Sequence, residues 1–275
     1  MALDIEILNS GDVTVDTSFL AKYRTPGTPA PVCVNTFLIR GLSIGPVLVD
    51  TGFRSPEIMA TVGMAATDAV DGTLDVQLQA RGIKPSDVAM IVHTHLHIDH
   101  AGKTDLFPDS TRVVVSRREL EISCGGSGGP GYPVPDIKHI LGRVWRRDAA
   151  QLLDAEDGDI VELLPGLAVE RSGGHTEGSL SVLVETHDGL ARICGDVFYN
   201  LEHQLGNPFD EVLFAEPHLS GNTAVSERQE RRAMKRATQG CKWLLPSHDA
   251  PGRLEGGRLI ARTVGSTVPD RTSAS

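Results

Sequence analysis

Long hydrophobic runs are missing from this chain. No stretch approaches the roughly 18 uninterrupted apolar residues of a membrane-spanning helix, so no transmembrane segment is expected. The opening MALDIEILNS has neither a basic nor an apolar leader region, which argues against a signal peptide. Cysteine is scarce: Cys33, Cys124, Cys194 and Cys241 are the four in 275 residues, far apart and without a CxxC pair. A disulfide framework is thereby excluded, and reduced, mostly buried thiols in a cytoplasmic protein are the expectation. Positive charge is also in short supply, 26 Lys and Arg against 36 Asp and Glu for a net charge of −10. A partner whose phosphates must be neutralised, above all nucleic acid, is not expected. No fixed-period repeat is visible, so solenoid and propeller architectures drop out.

What remains is the composition of a globular protein, 40% hydrophobic and 23% charged. Alternating or β-branched segments predict strands over 5–16, 32–41, 46–50, 88–92 and 111–116. The second half adds strands at 159–164, 167–174, 179–186, 190–196 and from 242. Helices are expected over 71–83, 117–123, 136–153 and 226–240, the last opening on Ser226 and closing on a glycine. Residues 18–31 and 124–135, rich in Pro and Gly, read as loops. Two halves of this kind predict two sheets packed face to face with helices outside. One domain over 1–265 with a disordered tail at 266–275 is the expectation.

The chain spends its histidines unevenly. Of ten, four lie in IVHTHLHIDHAG, residues 91–102, directly after an apolar run. His95 and His97 are two apart, so an extended backbone points them the same way. Asp99 and His100 are adjacent, and a tight loop can turn them towards a second point. Imidazole and carboxylate are the ligands that zinc and iron accept. Further donors follow later predicted strands: His175 after two glycines, Asp196 in CGD and His248 in PSHD. His93 reads as a buried neighbour, Cys194 as a buried strand residue, and His203 and His218 as surface residues.

These motifs resemble the metallo-β-lactamase-fold hydrolase superfamily. The HxHxDH motif stands as His95-Leu96-His97-Ile98-Asp99-His100, followed in order by GGHTEGS at His175, CGD at Asp196 and PSHD at His248, with VLVDTG at Asp50 before them. The resemblance implies an α/β fold, an αβ/βα four-layer sandwich of two mixed β-sheets with outer helices. It implies two divalent metal ions, zinc foremost with iron, manganese or cobalt as options. His95, His97 and His175 would hold one ion and Asp99, His100 and His248 the other, with Asp196 bridging and Asp50 orienting ligands. Such a pair of cations, about 3.5–4 Å apart, lowers the pKa of a shared water towards about 7 and polarises a carbonyl. Asp99 could then carry a proton between the water and the leaving group.

Within the superfamily the chain looks most like the N-acyl homoserine lactonase-like group. The shared features are NTFLIRG…GPVLVDTG, THLHIDHAG and a tyrosine, Tyr199, three residues past Asp196. In that group the tyrosine hydroxyl reaches the substrate's carbonyl or leaving oxygen, so Tyr199 and Asp99 are the expected catalytic residues. The chain departs from the pattern in SGGH before the later histidine and in residues 201–222, which find no match. Phe19, Tyr23 and the 124–135 segment are expected pocket walls. The expected substrate is a small ester or lactone, and a homodimer is compatible with the sequence. The rivals are a thioesterase resembling glyoxalase II, a mononuclear-iron oxidoreductase resembling the persulfide dioxygenases, and a metal-binding protein without turnover.

Overall fold

The computed structural model describes residues 2–22, 24, 26–126, 129–207, 212–213, 216–263 and 265–268. In the first half, strands β1 (Asp4–Asp16), β2 (Pro29–Arg40) and β3 (Val47–Val49) precede helix α1 (Pro56–Ala60), strand β4 (Ala65–Asp68) and helix α2 (Leu74–Ala80). Strands β5 (Met90–Val92) and β6 (Arg112–Ser116), helices α3 (Arg117–Cys124) and α4 (Val134–Val144) and strand β7 (Ala150–Leu153) complete it. The second half runs through β8 (Ile160–Leu164), β9 (Leu167–Arg171), β10 (Leu180–Thr186) and β11 (Gly189–Gly195) to helix α5 (Leu201–Leu205). A small hairpin, β12 (Gly206–Asn207) and β13 (Val212–Leu213), precedes helix α6 (Glu227–Ala237) and strands β14 (Trp243–Pro246), β15 (Gly252–Glu255), β16 (Arg258–Arg262) and β17 (Thr267–Val268).

Two mixed sheets result, ordered β17-β1-β2-β3-β5-β6-β7, with β4 paired to β1, and β16-β15-β14-β11-β10-β9-β8. Strand periodicity explains why each needs cover on both faces. In β3, Val47 and Val49 turn towards the second sheet while Leu48 packs outward with Leu74 and Leu78 of α2. In β14, Trp243 and Leu245 face inward and Leu244 meets Met234 and Ala237 of α6. Fully burying each such side chain stabilises the fold by about 1.5–3 kcal/mol. The layering is therefore helix, sheet, sheet, helix, as expected.

Several local expectations are corrected. The helix expected over 136–153 stops at Val144, because Asp148 takes a left-handed conformation (φ 59°) and Ala150–Leu153 pairs with β6 at the sheet edge. Pro29–Pro31, expected in a loop, continue β2 against β1. The tail expected to be disordered from 266 has Thr267 and Val268 paired with Glu6 and Ile5, with Val268 buried in the core between the sheets. Residues 269–275 lie outside the described residues. No helix among the described residues is long and apolar enough to cross a membrane. The four cysteines are unpaired; Cys194 and Cys241 are buried, Cys33 half-buried and Cys124 exposed.

Candidate metal centre

The topology brings the ends of several strands to one edge of the sandwich. Chain leaving β3 carries Asp50, chain leaving β5 carries His93 to His100, and β11 and its parallel neighbour β14 lead into Asp196 and His248. His175 follows β9. Ligands commonly sit beyond the carboxyl ends of parallel strands for this reason. The loop after β5 alternates its side chains: Leu96 and Ile98 enter apolar clusters while His95 and His97 turn to the centre. At His97 the chain tightens into a turn, with the His100 and Ala101 amides both donating to the His97 carbonyl. That turn swings Asp99 and His100 to a different point.

The seven expected donors all converge. His95, His97 and His175 form one group with donor atoms within 4.8 Å of one another, and Asp99, His100 and His248 form another. Asp196 lies between them. Its Oδ2 is 3.9 Å from His95 Nε2 and 3.8 Å from His175 Nε2, whereas its Oδ1 is 3.2 Å from His100 Nε2 and 3.3 Å from His248 Nε2. His248 Nε2 is also 3.3 Å from Asp99 Oδ2.

Four of the five rings are aimed from behind, as bound imidazoles generally are, while His97 Nδ1 meets His175 Nε2 at 2.8 Å. His100 Nδ1 meets Asp50 Oδ2 at 2.9 Å, His248 Nδ1 meets the Cys33 carbonyl at 2.8 Å, and His175 Nδ1 meets the Asn222 carbonyl at 3.1 Å. Thr94 Oγ1 donates to Asp50 at 2.7 Å and lies 3.1 Å from His95 Nδ1. Asp50 itself adopts φ 62°, an unfavourable backbone for a residue with a Cβ, and is held there by its buried hydrogen bonds. His93 is fully buried, 3.0 Å from Thr104 and 3.5 Å from Asp50, so it supports the centre from behind.

The protonation pattern suits cations. Burial holds His97 and His175 at about 4 and His95 well below its ordinary value, so these rings are neutral donors at pH 7. Burial would lower His100 and His248 too, but the carboxylates of Asp196 and Asp99 outweigh it and hold both well above the ordinary imidazole range. The buried atoms His95 Nε2, His100 Nε2 and Asp196 Oδ1 face inward without a well-aligned hydrogen bond, the last two being 3.2 Å apart as an ion pair. Buried polar atoms are rarely left this way, and orphaned donors of metal-ligand type fit an ion-binding centre.

A cavity of about 210 Å³ opens over this edge, floored by His97, Asp99, Asp196 and His248 and walled by Val13, Val32, Met64, Phe19 and Leu20. Phe19 is thus a pocket wall, as is Gly131 of the 124–135 segment. Tyr23 lies outside the described residues. Tyr199 borders the cavity, stacked on His248 with its ring centroid 5.6 Å away. His203 and His218 take no part; His203 is half-buried beside Arg24 and His218 is exposed. Cys194 is buried in the outer cluster under α6, and burial raises its thiol pKa.

Three supporting residues escape a reading of the sequence. Thr94, Glu119 and Asn222 contact ligand-bearing loops, yet none has a spacing that marks it. The comparisons agree with the geometry. A model of the metallo-beta-lactamase superfamily matches residues 31–248. An N-acyl homoserine lactonase of Bacillus cereus is 29% identical over 217 residues, 75% of this chain and 78% of that protein. A solved N-acyl homoserine lactone hydrolase, with the product N-hexanoyl-L-homoserine at its catalytic metal centre, superposes with a TM-score of 0.66 at 23% identity, covering 86% of this chain and 88% of that one. A dizinc quorum-quenching lactonase in complex with its product does so with 0.62 at 16% identity over 95% of both chains. At such identities the solved structures establish the shared fold, while the model match spans most of the sequence: the chain belongs to the metallo-beta-lactamase superfamily.

Proposed function

We propose that this metal-dependent hydrolase holds two divalent ions and opens a lactone that carries an apolar arm. The observation that carries the reading is the division of Asp196: one oxygen faces His95 and His175, the other faces His100 and His248, directly beneath an apolar cavity. His95, His97 and His175 would hold one ion, Asp99, His100 and His248 the other, and Asp196 both. The donors suit zinc, and iron, manganese and cobalt accept the same set. When bound, such ions supply a nucleophile from water near neutral pH and polarise the ester carbonyl. A one-metal iron enzyme would leave one of the two donor groups without a task. The relatives' printed activity, homoserine lactone hydrolysis, favours a lactone over a thioester.

The chain's own residues have definable parts. Apolar walls at Val13, Val32 and Met64 seat the substrate's arm and exclude water from it. Asp99, which lines the cavity, accepts a proton from the attacking water and returns it to the leaving oxygen. In the metal-free protein its carboxyl is held low because His100 and His248 outweigh the effect of burial, and beside bound cations it would likewise stay ionised and able to accept. Tyr199 is a donor whose direction is set by its neighbours. His175 Nδ1 lies 3.1 Å and Asn222 Nδ2 3.3 Å from its hydroxyl oxygen. The phenol's own proton goes to the Asn222 carbonyl at 3.4 Å, a long bond that a substrate carbonyl over the centre would replace. Burial, with Asp196 and Asp99 nearby, raises the phenol's pKa and keeps that proton on.

Metal analysis combined with a panel of lactones, thioesters and aryl esters tests the reading. About two ions per chain and preferred turnover of acyl-bearing lactones are expected. One iron per chain, or a clear preference for thioesters, would overturn it.

A further inference from the structure

Glu119 occupies the first turn of α3, at 0% exposure, and ties together three loops of the centre. Its Oε1 accepts from the Leu96 amide at 3.0 Å, between His95 and His97, and from the Tyr132 hydroxyl at 2.9 Å. Its Oε2 accepts from Thr176 Oγ1 at 2.5 Å, beside His175. The Tyr132 ring in turn packs against His97, centroids 4.7 Å apart. The carboxylate therefore stands directly behind all three histidines of one donor group. The approach is close enough to require a glycine: a Cβ on Gly178 of the GGHTEGS motif would lie 2.3 Å from the Glu119 amide nitrogen.

All three donors to Glu119 are neutral, and among the described residues no lysine or arginine pairs with it. Elsewhere in the interior Glu170 sits on Arg192 at 2.5 Å and Asp136 on Arg54 at 2.6 Å, while Glu230 accepts from the amide and hydroxyl of Ser220 and, unlike Glu119, makes no hydrogen bond among the described residues to a loop that carries the three histidines. The N-terminus of α3 offsets only part of a full negative charge. Asp50, Asp99 and Asp196 likewise face histidines and no lysine or arginine. With Glu119 they make four carboxylates around one centre, a charge of −4, and two divalent ions bring +4. A buried charge is tolerated when it is compensated.

We infer that Glu119 is a positioning residue whose negative charge is the counterpart of the ion held by His95, His97 and His175, and that it strengthens binding there. The inference rests on the two-ion reading above. It assigns Glu119 an electrostatic task beyond bracing: a glutamine can keep its oxygen on Leu96 and Tyr132 and turn its NH2 to the Thr176 hydroxyl, whose proton then goes to Ser179, so the loops stay braced while the local positive charge is left uncompensated.

The test is titration of metal-free protein with Zn²⁺ against a competing chromophoric chelator, alongside thermal melting of the metal-free form. Glu119→Gln should weaken one of two binding steps by roughly ten-fold or more, the range for residues supporting a metal ligand, while the metal-free melting midpoint stays at or rises above the wild-type value, because the variant no longer buries an uncompensated charge. Tyr132→Phe, which removes a neutral donor and keeps the charge, should change Zn²⁺ affinity far less. Equal losses of affinity in the two variants, unchanged affinity in Glu119→Gln, or a loss matched by a lower metal-free midpoint would each overturn the electrostatic role. If Glu119→Gln does not fold, the Tyr132→Phe titration decides alone, since a ten-fold loss there would mean bracing. A wild-type stoichiometry of one Zn²⁺ would sink the two-ion reading instead, with the Glu119 effect still scored on that ion.

Discussion

A carboxylate placed between two donor groups offers two equivalent oxygens, and no other side chain of its length does. Asn at position 196 would present an oxygen to one group and an N–H to the other, replacing attraction for a cation with repulsion. Asp196→Asn is therefore expected to bring the metal content below two ions per chain and turnover down by orders of magnitude. Elemental analysis with steady-state kinetics checks this, and near-normal hydrolysis at full occupancy would rule it out. Tyr199 acts through one atom. If its proton reaches the substrate carbonyl, the bond strengthens as charge develops, so its loss belongs in kcat. Tyr199→Phe should slow lactone opening about ten-fold or more with metal content intact; unchanged kcat would make the ring a packing element beside His248. These residues were legible in the sequence because histidine and aspartate at successive strand ends have few other reasons to recur in that order. Glu119 was not, since an acidic residue in a helix's first turn is ordinary there. Thr94 and Asn222 were equally silent, being polar residues in loops.

Elements were legible in proportion to how strongly a local pattern agreed with tertiary pairing. The runs before Asp50 and His93 are apolar on both faces because helices cover one face and the opposite sheet the other, and their sequence shows it. Residues 145–153 misled because the apolar spacing of α4 continues into Ala150–Leu153, where pairing with the edge of β6 overrides helix propensity. Strands β15 and β16 and helices α1 and α5 had no such signal, being short. Helix α6 was legible through its cap, and the structure shows the full box: Ser226 Oγ accepts from the Gln229 amide while Gln229 Oε1 accepts from the Ser226 amide at 3.1 Å. Ser226→Ala should cost about 1 kcal/mol, seen as a melting midpoint lowered by about 2–4 °C for a chain of this size. Metal content should not change. An unaltered midpoint would mean that packing of Met234 and Ala237 alone holds the helix.

At the scale of the whole molecule, two sheets from the two halves of the chain meet at one edge, and like charges gather there. Without cations the carboxylates hold protons on His100 and His248, while His95, His97 and His175 stay neutral. The sign of the linkage follows. The raised groups are protonated at neutral pH in the metal-free protein and would have to lose those protons to become ligands, so on the two-ion reading full loading should release about two protons. Apparent affinity should consequently fall as the pH is lowered, and the heat of metal binding should depend on the ionisation enthalpy of the buffer. Calorimetry of Zn²⁺ binding in two buffers measures the count, and a heat independent of buffer would contradict it. On the proposed two-ion reading the ions would also join the halves, since one donor group takes His97 from the first and His175 from the second. Ions bound at 100 times their dissociation constant stabilise the folded state by about 2.7 kcal/mol per site. Chelation should then lower the melting midpoint by about 5–10 °C for each ion removed, and re-addition of Zn²⁺ should restore it. A midpoint indifferent to chelation, in protein shown to have lost its metal, would mean that the sandwich is held by its apolar core alone and that the centre contributes only to chemistry.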